Sequence, residues 1–262
     1  MLKERIITAV IGIPVLLGFL FWGRIPFFLL LTSIIFLALL EFASLFRKRD
    51  VRPDILLVLL GGIIFCFSAL FYGTKGFTLG IVLIVLITLA RMLFSNGSFS
   101  IKSVALTIFA PIYIGLMMGH LILIRDIETN GIVLVFSVFL ATWICDISAY
   151  TLGSLFGKRK LAPKISPHKT WEGAIGSFFI TTFLVGGLWF ISLSFFERAM
   201  LGAVVAVSGQ FGDLVESKLK REVGVKDSGT MLPGHGGILD RFDSLIFSAP
   251  AIFYFLKLLS LK

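Results

Sequence analysis

Long apolar runs alternate with short polar breaks along the whole chain. A helix needs about 20 mostly apolar residues to cross a hydrocarbon layer ~30 Å thick. That length predicts nine spans, at about 6–22, 27–46, 55–72, 77–94, 104–124, 131–152, 173–196, 199–216 and 242–260. Turns such as Gly23-Arg24-Ile25-Pro26 and Gly73-Thr74-Lys75-Gly76 separate them. The expected fold is all-α, a polytopic integral membrane protein. Residues 1–262 form a single membrane unit, in which 1–100 have no evident role and 101–262 carry the longest polar segments between helices. Neither an internal repeat nor a soluble domain is visible.

The composition agrees, being 57% hydrophobic and 15% charged, where a soluble domain carries about 25% charge. The formal net charge of +9 would point to nucleic acid in a soluble protein. In a membrane protein it fits the positive-inside bias and anionic headgroups better, so no nucleic-acid partner is expected. Cys66 and Cys145 lie within apolar runs and read as small buried hydrophobes. The first run follows a basic start, as in a signal peptide, but shows no small-residue cleavage site and is taken as a first span.

Charge also sets orientation. With the N-terminus cytoplasmic, 18 of the 24 Lys and Arg fall on the cytoplasmic side. Only Arg24, Lys75, Arg125, Arg198, Lys257 and Lys262 fall on the other. This asymmetry predicts a cytoplasmic N-terminus, an external C-terminus and an odd number of spans. The two longest polar segments, 153–172 and 217–241, then share the cytoplasmic face, where phosphate-bearing substrates arrive.

The densest polar stretch is DLVESKLKREVGVKDSGTMLPGHGGILDRFDS, residues 213–244. Asp240 and Asp243 are three apart and share a helix face. Asp213 ends the preceding span, one turn before Ser217. Together these carboxylates would suit Mg²⁺ or another hard cation, with a second cation also accommodated; alternatively they pair with Arg241, Lys218 or Lys220. Lys218, Lys220, Arg221 and Lys226 either anchor the cytoplasmic face or clamp a triphosphate. The turn Pro233-Gly234-His235-Gly236-Gly237 leads into a helix, where backbone N–H groups can approach an anion; it also reads as a plain loop. His235 donates a hydrogen bond to a phosphate, acts in proton transfer or is a solvated loop residue.

In SPHKTWEG, residues 166–173, Lys169 is a second phosphate ligand, with hydroxyls at Ser166 and Thr170. Trp171 marks the interface, and Glu172 caps the next helix. Asp146 lies inside the sixth span, where an acid is functional by default or pairs with a lysine from 158–169. Glu41 is expected to snorkel or pair with Arg47, and His120 to be structural. The absence of a Ser-His-Asp set, an HExxH pattern or a Walker P-loop argues against a serine hydrolase, a zinc protease and a soluble-type NTPase.

Ser217 to Ser244 resembles the signature of the phosphatidate cytidylyltransferase (CDP-diacylglycerol synthase) family. Its fixed positions stand here as Ser217, Lys220, Arg221, Lys226, Asp227, Pro233, His235, Gly236, Gly237, Asp240, Arg241 and Asp243. The stretches GDLVES, WICDISAY and SPHKTWEG are similar to family segments too, so the likeness is dense over about 141–247. It implies a reaction of phosphatidate with CTP that gives CDP-diacylglycerol and pyrophosphate. It further implies Mg²⁺ on Asp240 and Asp213, with Asp243. Lys220, Arg221 and Lys226 would hold the triphosphate, Lys169 the lipid phosphate or CTP, and Asp146 would orient Lys169 or a second cation. The setting would be a bacterial inner (plasma) membrane, with the active site facing the cytoplasm, and a homo-oligomer is compatible. Alternatives are a CTP-dependent transferase for another lipid phosphate, a transporter and a non-catalytic lipid binder.

Overall fold

The computed structural model describes residues 2–47, 51–95, 99–128, 130–231 and 236–259. In chain order its elements are α1 (Leu2–Trp22), α2 (Arg24–Arg47), α3 (Ile55–Leu93), α4 (Ile101–Ala110), a π-helical turn (Pro111–Leu116), α5 (Met117–Arg125), α6 (Gly131–Phe156), β1 (Lys160–Ala162), β2 (Ser166–Thr170), α7 (Trp171–Gly186), α8 (Phe195–Glu222) and α9 (Leu239–Leu259). Lipid offers no hydrogen bonds, so a helix is the economical way to satisfy a spanning backbone. Among the described residues, six helical segments are long and apolar enough to cross: α2, α3, the run Ile101–Arg125, α6, α8 and α9. Val10–Trp22 and α7 are shorter apolar helices. The chain is an integral membrane protein.

α3 has 39 residues, about 58 Å if straight at ~1.5 Å per residue, which is far more than one crossing needs. It breaks at Gly73, whose φ of 59° and ψ of −145° only glycine adopts readily. The chain then doubles back. A Cβ on Gly76 would lie 2.7 Å from Ser68 Cβ, and one on Gly80 would lie 2.8 Å from Phe65. The Phe65 and Phe77 rings meet edge-on at 6.1 Å. The two arms coincide with the apolar runs 55–72 and 77–94. In the run Ile101–Arg125, Pro111 opens the π-helical turn; lacking an N–H, it cannot continue the i→i−4 ladder.

One expected span differs. The apolar run 173–196 yields a helix of only 16 residues, α7, roughly 24 Å long. It stops where the Gly187 N–H turns back onto the Phe183 and Leu184 carbonyls. Arg198 donates to the Gly186 carbonyl at 2.9 Å and the Ile191 carbonyl at 3.2 Å, which suits a cation at a helix C-terminus. α8 therefore starts early, at Phe195. Ser194 and Glu197 form a reciprocal cap, with Glu197 Oε2 accepting from the Ser194 N–H and hydroxyl, and Ser194 Oγ accepting from the Glu197 N–H. This S-x-x-E capping box is a sequence signal that hydropathy overrides.

The chain forms two compact units, residues Met1–Leu123 with Glu222–Phe242, and Ile124–Arg221 with Asp243–Lys262. In the first, α2, α3 and the π-helical turn pack together around Phe27, Phe42, Phe65, Leu39, Ile84 and Ile114, all fully buried. Asp54 caps α3 through the Leu57 N–H, accepts from Arg91 Nε at 3.2 Å, and donates its own N–H to Thr107 Oγ1. In the second, α6 lies along α7. The backbones touch there, since a Cβ on Gly173 would sit 2.6 Å from the Ala149 carbonyl. Gln210 of α8 donates to the Ala174 carbonyl and to Ser177 Oγ, both at 3.3 Å. Around the helices, exposed side chains such as Leu29, Leu79, Leu86, Phe179 and Tyr150 offer lipid an apolar surface.

The polar segment 153–172 contains a small antiparallel hairpin, β1 to β2, with Lys160 opposite Thr170 and Ala162 opposite Ser166. The Trp171 N–H bonds the Arg159 carbonyl at 2.9 Å. Thr170 caps α7 by accepting from the Gly173 N–H at 3.2 Å. Glu172 accepts the N–H groups of Lys158 and Arg159 at 3.1–3.2 Å. Its carboxyl is held below the ordinary Glu value by its own N–H, then, against the opposing effect of burial, by those of Lys158 and Arg159 and by the Arg159 charge. The contribution of this anchor is complete above the ordinary value of about 4.3 and fades as pH falls through the lower, folded one. Acidification through that window is expected to speed amide exchange at Lys158 and Arg159 beyond its intrinsic pH dependence, and Glu172→Gln to remove the step. Identical profiles in the two proteins would contradict the anchor.

Candidate active site

α8 places Asp213, Glu216, Ser217 and Lys220 at i, i+3, i+4 and i+7, on one face of the helix. The hairpin brings Lys169 of β2 to this face, with Nζ 2.6 Å from Asp213 Oδ2. The other oxygen of Asp213 accepts from Ser217 Oγ at 3.3 Å. One turn on, Lys220 Nζ lies 2.5 Å from Glu216 Oε2. Arg221 reaches back to the hairpin and donates Nε–H to the Ile165 carbonyl at 3.1 Å. Asp243 stands in α9, within electrostatic reach of Asp213, Glu216 and Asp146; its Oδ1 accepts from the Ser244 N–H. Asp146 lies exposed on α6.

The two ion pairs differ in kind. Lys169 and Asp213 keep side-chain exposures of 26% and 31%, and pairs that reach water stabilise a fold by about 0–1 kcal/mol. Stability is therefore a weak reason for that pair. Lys220 and Glu216 keep only 10% and 0%, and removing one partner of such a buried pair costs about 3–5 kcal/mol because the other charge is left uncompensated. Lys220 is thus the cation that compensates the buried Glu216 carboxylate. Glu216 was not among the residues singled out from the sequence, although its i,i+4 spacing to Lys220 was there to be read.

The first unit holds the rest of the signature. Asp240, in the first turn of α9, accepts the Ser228 N–H at 3.0 and 3.2 Å and the Gly237 N–H at 2.8 Å. Gly236 has φ +83°, and a Cβ there would meet Asp240 Oδ2 at 2.8 Å. The expected anion cradle is therefore in part an aspartate cradle, with the Gly237 N–H already donated. Lys226 and Arg241 are exposed. His235 lies outside the described residues.

Glu41 is the correction. Expected to snorkel or pair with Arg47, it is 3% exposed and turned inward. Its Oε2 accepts from Ser228 Oγ at 3.2 Å and from the Leu239 N–H at 3.0 Å. An acid deep in an apolar helix was the only available signal, and nothing local named partners 187 and 198 residues away.

For a cation, the oxygen-only donor chemistry of these acids suits Mg²⁺. A carboxylate has about four lone-pair sites, so Asp213 keeps acceptor capacity beyond the bonds just given. Among the described residues, no three acids, histidines or cysteines stand together as a ready-made metal group. On Asp213, the Lys169 ammonium sits where a cation would.

The profile described as "Cytidylyltransferase family" matches residues 3–259. A Bacillus subtilis protein named phosphatidate cytidylyltransferase is 35% identical over 266 residues, covering 99% of each chain. Proteins of that name from Staphylococcus aureus and Staphylococcus saprophyticus are 33% and 34% identical, covering 96% of this chain and 97% of theirs. With a match over nearly its whole length, the chain belongs to the cytidylyltransferase family, and so to the nucleotidyltransferases.

Proposed function

We propose that this protein transfers the cytidylyl group of CTP to phosphatidate. An oxygen of the lipid phosphate attacks the α-phosphorus of CTP, a P–O bond forms, and the bond to the β-phosphate breaks to release pyrophosphate. The products are CDP-diacylglycerol and pyrophosphate, and the names of the relatives support that substrate pair.

The observation that carries the reading is the Lys169–Asp213 pair. A lysine from a basic hairpin meets an acid on a helix face, with both still open to water. The attacking phosphate is already anionic near neutral pH, so no strong general base is required. The task is to bring two polyanions together and neutralise them. In this reading Lys169 takes the lipid phosphate or CTP, and Asp213, at 2.6 Å, orients its ammonium. Lys226 and Arg241, exposed in the first unit, offer charge to the triphosphate, and Arg221 steadies the hairpin that carries Lys169. Asp213 and Asp243 in the second unit, and Asp240 in the first, each offer carboxylate oxygens that would suit Mg²⁺, which when bound would neutralise charge on the leaving pyrophosphate. The cytoplasm supplies CTP, which agrees with the Lys and Arg asymmetry and with nine crossings if α3 makes two.

In detergent micelles with phosphatidate, CTP and Mg²⁺, pyrophosphate and CDP-lipid are expected in equal amounts, and Asp240→Asn is expected to abolish both. Release of pyrophosphate without CDP-lipid would sink the reading. Lys169→Gln and Asp213→Asn are each expected to lower kcat by about 10²–10³-fold, as removal of one charge-stabilising group does. Because they act as a pair, the double variant should cost little more than either alone. Fully multiplicative losses would contradict the pairing.

Orientation is tested separately. Cys66 and Cys145 are buried, so replacing both gives a quiet background for labelling. A cysteine at His168 is expected to react with a membrane-impermeant thiol reagent only from the cytoplasmic side, and one at Lys75 only from the other. Labelling of both positions from one side would overturn the topology.

A further inference from the structure

Glu41 stands apart from the residues used so far. It sits on α2, in the part of the chain to which the sequence assigned no role, and its described partners come from the signature segment. Its Oε2 takes two donors at once, the Ser228 hydroxyl and the Leu239 N–H. Leu239 is the first residue of α9, and the first N–H groups of a helix have no partner within it. A carboxyl from another helix therefore caps α9. Ser228 extends the link, giving its hydroxyl to Glu41 and its N–H to Asp240.

The segment is cut to fit over this carboxyl. A Cβ on Gly229 would lie 2.6 Å from Glu41 Oε1, and one on Gly237 would lie 2.5 Å from Oε2 and against Ser228 Oγ. A Cβ at 229 would push the Glu41 carboxyl from its place, and one at 237 would also meet the Gly229 backbone N at 2.8 Å, so both glycines let the backbone lie down on Glu41. The second of the paired glycines in Gly-His-Gly-Gly is thus accounted for by close approach to an acid within the protein. Oε1 is buried and accepts no hydrogen bond from the described residues. Burying an acid in an apolar helix is costly, and packing alone would be met by Met or Leu.

We propose that Glu41 is a positioning residue. It holds Ser228, Gly229, Gly237 and Leu239 in the arrangement that presents Asp240 and the start of α9, and so acts on the reaction through Asp240 without touching substrate. This rests on the cytidylyl-transfer reading, and the test separates the two.

Three variants are compared in the micelle assay for kcat, KM for CTP and melting temperature. Glu41→Met keeps the volume but offers no oxygen. Glu41→Gln can present one carbonyl oxygen to the same two donors. Ser228→Ala removes the link from its other end. Misplacement of a reacting group by about an ångström costs on the order of 10²-fold. Glu41→Met is therefore expected to lose about ten- to hundredfold in kcat with little change in KM, Glu41→Gln to recover most of it, and Ser228→Ala to fall between. Equal activity of the Met and Gln variants would overturn the proposal, since packing alone would then explain the residue. Amide exchange at Gly237 and Leu239 provides a readout independent of activity, expected to quicken in Glu41→Met and not in Glu41→Gln. If the wild type makes no CDP-lipid, the functional reading fails. Exchange unchanged by Glu41→Met would then overturn the positioning role on its own.

Discussion

Hydrocarbon does not solvate ions, so a chain this apolar must answer its buried polar groups from within. That constraint organises the second unit around α8. The helix carries an acid and a base on one face, Glu216 and Lys220, closed to water and matched to each other. One turn earlier it carries an acid, Asp213, that a hairpin lysine must reach to meet. In the inner pair each buried charge compensates the other. The outer pair is where charge remains available to an incoming phosphate.

The same constraint explains the first unit. Glu41 is an acid that α2 could carry only if something came to meet it, and the segment from Ser228 to Leu239 does so with a hydroxyl, an N–H and two glycines that stand aside. Asp240 gathers the N–H groups of Ser228 and Gly237. The signature thus reads as two layers. Some of its residues present charge, and others make the backbone fit over carboxyls of the protein itself.

Much of this was legible from the chain. Apolar run length located the helices, and glycine at position 73 marked the fold-back of α3. The run 173–196 misled because hydropathy cannot see a cap, although Ser194 and Glu197 spelled one out. The spacing of Asp213, Ser217 and Lys220 placed them on one face. The partner of Lys169 did not follow from spacing, because it depends on how a hairpin meets a helix. Glu41 could not be read at all, since its partners are fixed by tertiary contacts across most of the chain.

The central claim is that the cytidylyl group, and not a single phosphoryl group, moves to the lipid. Purified protein given phosphatidate and CTP labelled at the α-phosphorus should place the label in the lipid product. The same reaction with CTP labelled at the γ-phosphorus should send all of it to pyrophosphate. Label from the γ position in the lipid would mean phosphoryl transfer and contradict the account.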